Sequence, residues 1–170
     1  MATTLPGTLG APVTGYAVAA TRCGGLHETV ACSWRVCATD ASSNCDVTKA
    51  EWLTEILSGP QEISLINDVL AGFLRIVTNP KIFVDPAPSQ HALGFVEALI
   101  ASPRARWTSS SQATWRTVRD LVDNDRGLRG HLIPDAVLAS TAVAHGMRLA
   151  TCDHGFARFP DLDWFDPLAD

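Results

Sequence analysis

Charge is scarce in this chain. Charged residues make up 18% of its 170 residues, below the typical ~25%, and the balance is negative, at −5. A protein held to nucleic acid by bulk positive charge is thereby excluded. An enzyme that works on nucleic acid through carboxylates and a metal is not. With 46% hydrophobic residues, a disordered, solvating chain is excluded too. No stretch approaches the ~18 consecutive apolar residues of a membrane span. The opening MATTLPGTLGAPVTGYAVAA lacks the basic start and continuous apolar run of a secretory signal. No CxxC pair occurs among Cys23, Cys32, Cys37, Cys45 and Cys152. A zinc site is therefore weakly supported, and an odd number of free thiols points to a reducing cytoplasm.

The length suits about one domain, on a prior of roughly 100–200 residues each. Such a chain buries about two-thirds of its unfolded surface and needs no staple. Composition changes near residue 45. Residues 1–30 are rich in Thr, Gly and Ala, without clean periodicity, and are expected to be irregular. Residues 1–50 carry three basic and three acidic residues; residues 51–170 carry ten and fifteen, the whole of the −5.

Beyond residue 45 helix and strand signals alternate. DVTKAEWLTEILSG has a helical apolar face and stops at Gly59-Pro60. EISLI is a strand, and NDVLAGFLRIVTNP a helix with Val69, Leu70, Phe73, Leu74 and Val77 at helical spacing. SQHALGFVEALIASP is a helix capped by Ser89. ARWTS is a strand; QATWRTVRDLVDN is a helix with Trp115, Val118, Leu121 and Val122 inward. PDAVLASTAVAHG is a helix with Pro134 in its first turn and Gly146 past its end. RLATC is a buried strand, HGFARF a short helical turn and LDWF a last strand. This alternation predicts an α/β fold, a three-layer α/β/α sandwich around a mainly parallel central sheet. Chemistry in such folds sits at the carboxyl ends of the strands.

Two acids fall at that edge. Asp153 directly follows the strand RLATC, and Asp135 lies in the first turn of the preceding helix, where the helix dipole favours a carboxylate. A right-handed crossover brings both to one edge. Converging carboxylates repel unless a cation joins them. Mg²⁺ or Mn²⁺ suits oxygen ligands, and its bound water, lowered in pKa, can attack a phosphodiester. The same positions also suit a helix-capping acid and a turn aspartate, and position alone leaves both roles open.

The stretch HLIPDAVLASTAVAHGMRLATCDHGFARFPDLDWFDPL carries a family resemblance. Asp135-Ala136, Leu138-Ala139, Gly146, Thr151-Cys152-Asp153 and Phe156 together resemble the C-terminal half of PIN-domain proteins, nearest to the VapC toxins of toxin–antitoxin pairs. GFLRIVTNPKIF, residues 72–83, resembles the same subgroup. The resemblance covers residues 37–170 and implies a PIN-like domain, drawn here as 31–170 after an atypical segment 1–30. It also implies a cytoplasmic Mg²⁺-dependent endoribonuclease toxin, with Mn²⁺ as an alternative ion, no membrane association, a cognate antitoxin, and a homodimer or toxin–antitoxin hetero-oligomer. Asp135 and Asp153 are then the catalytic and metal-binding residues, Thr151 orients the site, and Arg75 contacts RNA phosphate or the antitoxin.

Departures from the family pattern point to a second reading. The family's first strand carries Asp-x-Asn; counting back places that acid at Ala31 and the Asn at Ser33, within TVACSWRVCA. Asp40 falls beyond that strand. The second family acid falls at Gly72, and Asp68, one turn earlier, replaces it only if the helix shifts. A further acid of many relatives is Gly155 here. The composition of residues 1–36 is also what a change of reading frame in a decayed toxin gene leaves. The alternative is thus a catalytically impaired PIN module that still binds antitoxin or RNA. A small-ligand binder of the flavodoxin kind would want a Gly-rich phosphate loop after a strand, and the later region has none.

Other residues have bland readings beside sharp ones. Arg104, Arg106, Arg116, Arg119, Arg126 and Arg129 guide RNA or form a solvated face interleaved with Asp120, Asp123 and Asp125. His131, His145 and His154 lack a metal spacing, and His145 suits a helix C-terminus. Trp52 and Trp115 read as packing residues.

Overall fold

The computed structural model describes the backbone of residues 15–18, and residues 52, 53, 55–60, 62–167 and 169. Residues 52, 53 and 55–58 are helical, within the first helix expected. Strand β2, Glu62–Leu65, buries Ile63 and Leu65 and leaves Glu62 and Ser64 half-covered. Helix α1, Asn67–Val77, buries Val69, Leu70, Phe73, Ile76 and Val77 at three- and four-residue spacing. Thr78 ends it, its hydroxyl donating to the Leu74 carbonyl at 2.7 Å.

Helix α2, Ser89–Ala101, begins after Pro88, which holds the cap position with extended backbone. Ser89 is therefore the first helical residue rather than the cap. Strand β3 is Ala105–Trp107. Helix α3, Gln112–Asn124, starts on a capping box in which Ser111 and Thr114 bond each other's backbone N–H. That box turns the Thr114 and Val118 face inward. Trp115 and Val122, expected inward, are instead 56% and 40% exposed. A 3₁₀ turn, Gly130–Leu132, runs into helix α4, Ile133–Ala144, with Pro134 in the first turn. Small residues let α4 bury nearly all round, from Ala136 to Ala142. Gly146 follows with φ of 62°, the left-handed conformation a helix stop favours. Strand β4 is Arg148–Ala150, a 3₁₀ turn covers His154–Arg158, and β5 is Trp164–Phe165.

With β1 at Gly15–Val18, the sheet runs β3-β2-β1-β4-β5, and every pairing is parallel. This central strand lies inside the segment expected to be irregular. Tyr16 pairs with Ile63 on one side and Arg148 on the other. The segment 30–39, where the sequence placed the first strand, lies outside the described residues, as do the four early cysteines and Asp40. A central parallel strand supplies N–H and C=O groups to both neighbours, and four short residues suffice for that.

Apolar side chains gather in two cores. Ile63 and Leu65 pack with Leu70, Phe73 and Val77 of α1 and Val96 and Leu99 of α2. Leu149, fully buried, packs with Ala136, Ala139 and Ala142 of α4 and with Phe156 and Phe159. No helix among the described residues is long and apolar enough to cross a membrane.

An ion pair ties α3 to the turn after β4. Arg158 donates to Asp125 Oδ2 at 2.9 Å, and the Gly127 N–H donates to Oδ1 at 2.8 Å. The Gly127 N–H, then Arg158, holds the Asp125 carboxyl below its ordinary pKa. A depressed folded pKa means that the stabilisation is present above the unfolded pKa and is lost as pH falls through the folded one. Acidification below the ordinary aspartate range is therefore expected to release Arg158 and loosen the His154–Arg158 turn. Amide exchange in that turn measures this, and Asp125→Asn should remove the pH dependence.

Candidate active site

The sheet order fixes where a site can form. The chain leaves β1 towards β2 and β3, then crosses back to β4 on the other side of β1. A crevice opens at the carboxyl ends of strands flanking such a reversal. Helix α4 precedes β4, so its N-terminus lies at this edge, as does the N-terminus of α1 after β2.

A cavity of about 300 Å³ is lined there by Asp68, Gly72, Arg75, Ser110, His131, Asp135, Thr141 and Asp153, among others. Asp135 and Asp153, expected together, line it together. Both are half-buried. Arg75, in the last turn of α1, is exposed on the same wall.

Asp153 is held by its own turn. Its Oδ1 accepts from the Gly155 N–H at 2.7 Å, capping the His154–Arg158 turn. Its backbone N–H donates to the Thr151 hydroxyl at 3.1 Å, and Thr151 is 2% exposed. The turn role and the site role thus coincide: one carboxylate oxygen caps, and Oδ2 has no protein partner among the described residues. The Thr151 hydroxyl, expected to orient the site, accepts from the backbone N–H of Asp153.

Gly155 is more than an absent acid. A Cβ added there would stand 2.8 Å from Asp153 Oδ1, so any side chain displaces the capped carboxylate. Gly72 differs, since a Cβ there meets nothing within 4 Å. The family's second acid is missing from open space, while Asp68, one turn earlier, reaches the same cavity without any shift of the helix. The strand at the centre of the sheet, GYAV, carries no acid, and Glu28 is the first acid of the whole chain.

Among the described residues no three His, Cys, Asp or Glu side chains gather closely enough to hold a metal between them. Mg²⁺ commonly takes one or two carboxylates and keeps several waters, binding substrate phosphate as well. The oxygen donors of Asp135 and Asp153 fit such an open site; they do not form a closed cage.

Several other residues are placed plainly. None of the six arginines at 104–129 lines the cavity. Arg106 pairs with Glu62 at 2.8 Å and Arg116 bonds Gln112 at 3.3 Å, so they belong to a solvated face. His154 bonds Asp166 at 3.2 Å and packs edge-on to Trp164. His145 ends α4 and donates from Nε2 to the Ser109 carbonyl at 3.1 Å. Trp52 packs edge-on against Phe165. Ser110 and Thr141 also line the cavity and carry no spacing signal, and His131, read as lacking a metal spacing, lines it too.

The PIN domain family model matches residues 46–162, and the chain belongs to that family. Among its relatives, ribonuclease VapC43 of Mycobacterium tuberculosis is 36% identical over 116 residues, 68% of this chain and 78% of the relative. Ribonuclease VapC31 of the same species is 37% identical over 120 residues, 71% and 84% of the two chains. The fold is similar to the crystal structure of VapBC2 from Rickettsia felis bound to a DNA fragment from their promoter. The TM-score is 0.57 at 17% identity, over 88% of this chain and 96% of that one. The family match starts well after β1, so the central strand lies outside it.

Two glycine substitutions should separate space from positioning. Gly72→Ala is expected to stabilise by roughly 0.5–1 kcal/mol, the helix penalty of glycine, read as a rise in melting temperature. Gly155→Ala should leave melting nearly unchanged yet shift the Asp153 carboxyl resonance in NMR, because the added methyl moves that group.

Proposed function

We propose that this chain is the toxin component of a type II toxin–antitoxin pair, a Mg²⁺-dependent endoribonuclease of the cytoplasm that cleaves RNA phosphodiester bonds. The observation that carries it is the meeting of Asp135 and Asp153 in one cavity at the sheet's reversal, in a PIN-domain chain whose relatives are named ribonucleases. A bound Mg²⁺, or Mn²⁺ in its place, supplies Lewis acidity and a water of lowered pKa. Asp135 and Asp153 hold the ion. Thr151 keeps the Asp153 turn in register. Arg75 offers its guanidinium to a phosphate, which it can grip with paired N–H groups. The solved relative is a toxin–antitoxin complex, and this supports an antitoxin partner here, in a hetero-oligomer or beside a homodimer. The exposed Leu93 and Ile100 of α2 suit a protein partner.

A second reading has its own observation. The central strand has no acid, so the ion is held by two carboxylates where the family has three or four. This favours an impaired module that keeps its antitoxin or RNA binding and loses most of its hydrolysis.

RNA cleavage by the purified chain, with Mg²⁺ or Mn²⁺ present or chelated, tests both. On the first reading cleavage needs the metal and falls roughly 100-fold or more in Asp135→Asn and in Asp153→Asn, at least the loss typical of outer-shell changes. Asn at 153 keeps an oxygen for the cap, so melting should hardly move. Metal-independent cleavage equal in parent and variants would sink the nuclease reading. A folded chain that binds RNA or antitoxin without cutting supports the second.

A further inference from the structure

The carboxylates occupy only part of the cavity wall. Another part is the loop after β3, and it is unusually well fixed. The Thr108 N–H donates to the Leu65 carbonyl at 2.9 Å, and the Thr108 hydroxyl to Ser64 Oγ at 3.1 Å. The Ser109 carbonyl accepts from His145 at 3.1 Å, and Ser111 caps α3. Between them Ser110 is exposed, with its Oγ 3.2 Å from Oγ1 of Thr141. Both line the cavity, and Thr141 is 1% exposed.

The direction of that hydrogen bond follows from counting protons. Thr141 has one hydroxyl proton, and the Val137 carbonyl 2.7 Å away can only accept it. With the Thr141 proton placed in this shorter bond, the longer 3.2 Å contact is made with the proton of Ser110. In that orientation Ser110 presents lone pairs to the cavity. Phosphate oxygens accept and do not donate, so this hydroxyl is matched to a donor and leaves phosphate to groups such as Arg75. A ribose 2′-hydroxyl or a base N–H fits Ser110. Thr141 lies six residues along α4 from Asp135, about 9 Å at the helical rise, so this acceptor sits beside the acids rather than at them.

Resting on the ribonuclease reading above, we propose that Ser110 is a specificity-determining residue that accepts a hydrogen bond from a donor on the bound RNA. The donor is a ribose 2′-hydroxyl, the group that distinguishes RNA from DNA, or a base N–H. It lies next to the phosphate that meets Asp135 and Asp153. The loop's fixed geometry gives the contact its selectivity, since a preordered acceptor loses little freedom on binding.

The test is fluorescence anisotropy with short labelled homopolymers of each base, as ribo- and deoxyribo-oligonucleotides. The full chain carries Asp135→Asn to leave the RNA intact and is compared with and without Ser110→Ala, both checked for equal melting. Loss of roughly 2- to 10-fold discrimination on adding Ser110→Ala is expected, the range of one net hydrogen bond. If RNA-over-DNA preference falls for all bases, the donor is the ribose hydroxyl. If preference among the ribohomopolymers falls instead, the donor is a base N–H. Equal discrimination with serine and alanine, in a chain that binds RNA, overturns the proposal and leaves the ribonuclease reading standing. No RNA binding by either chain overturns both.

Discussion

The main chain of four residues joins the two halves of the sheet. β2 and β3 lie on one side of Gly15–Val18, β4 and β5 on the other, and every ladder is parallel. Parallel neighbours cannot be joined by a tight turn and need long crossovers. The crossover from β3 back to β4 therefore carries α3 and α4 across the molecule. That reversal sets the N-terminus of α4 and the end of β4 at one edge. Asp135 and Asp153 share a cavity for this reason, before either side chain contributes anything of its own.

At that edge, economy of parts is achieved by double use. Asp153 closes a 3₁₀ turn with one carboxylate oxygen and lines the cavity as well. Thr151 is at once a buried residue of the β4 end and the acceptor for the Asp153 amide. Gly155 leaves the space that the capping oxygen of Asp153 occupies. Thr141 splits its hydroxyl between the helix carbonyl behind it and the serine in front. Such groups are fixed by folding interactions, and their orientation costs nothing further when a ligand arrives.

Much of this was legible in the amino-acid order. The apolar period of α1, the stop at Gly146 and the apolar strand before Asp153 all follow from local rules, and the structure has them. Two elements broke the reading for physical reasons. β1 is too short, and too rich in Gly and Ala, to show a period; its place is set by partners far along the chain. In α3 the spacing places Val118 and Leu121 inward, as the structure has them, but it also gives Trp115 the interior that Thr114 of the capping box takes. The site pair Asp135 and Asp153 was legible through the strand and helix ends that carry them. By sequence the family's second acid falls at Gly72, and only the three-dimensional wall shows that Asp68, an earlier turn of the same helix, reaches the cavity. Ser110 had no signal at all, being one serine in a run of three.

The central strand has a consequence for how such a chain can change. The ladders from β1 to β2 and β4 are made by amide and carbonyl groups, which do not depend on an acid being present. The sheet order, and with it the edge where Asp135 and Asp153 meet, stands with GYAV in the central place. Whatever recognises the outer helices then meets the same molecular face, armed or not.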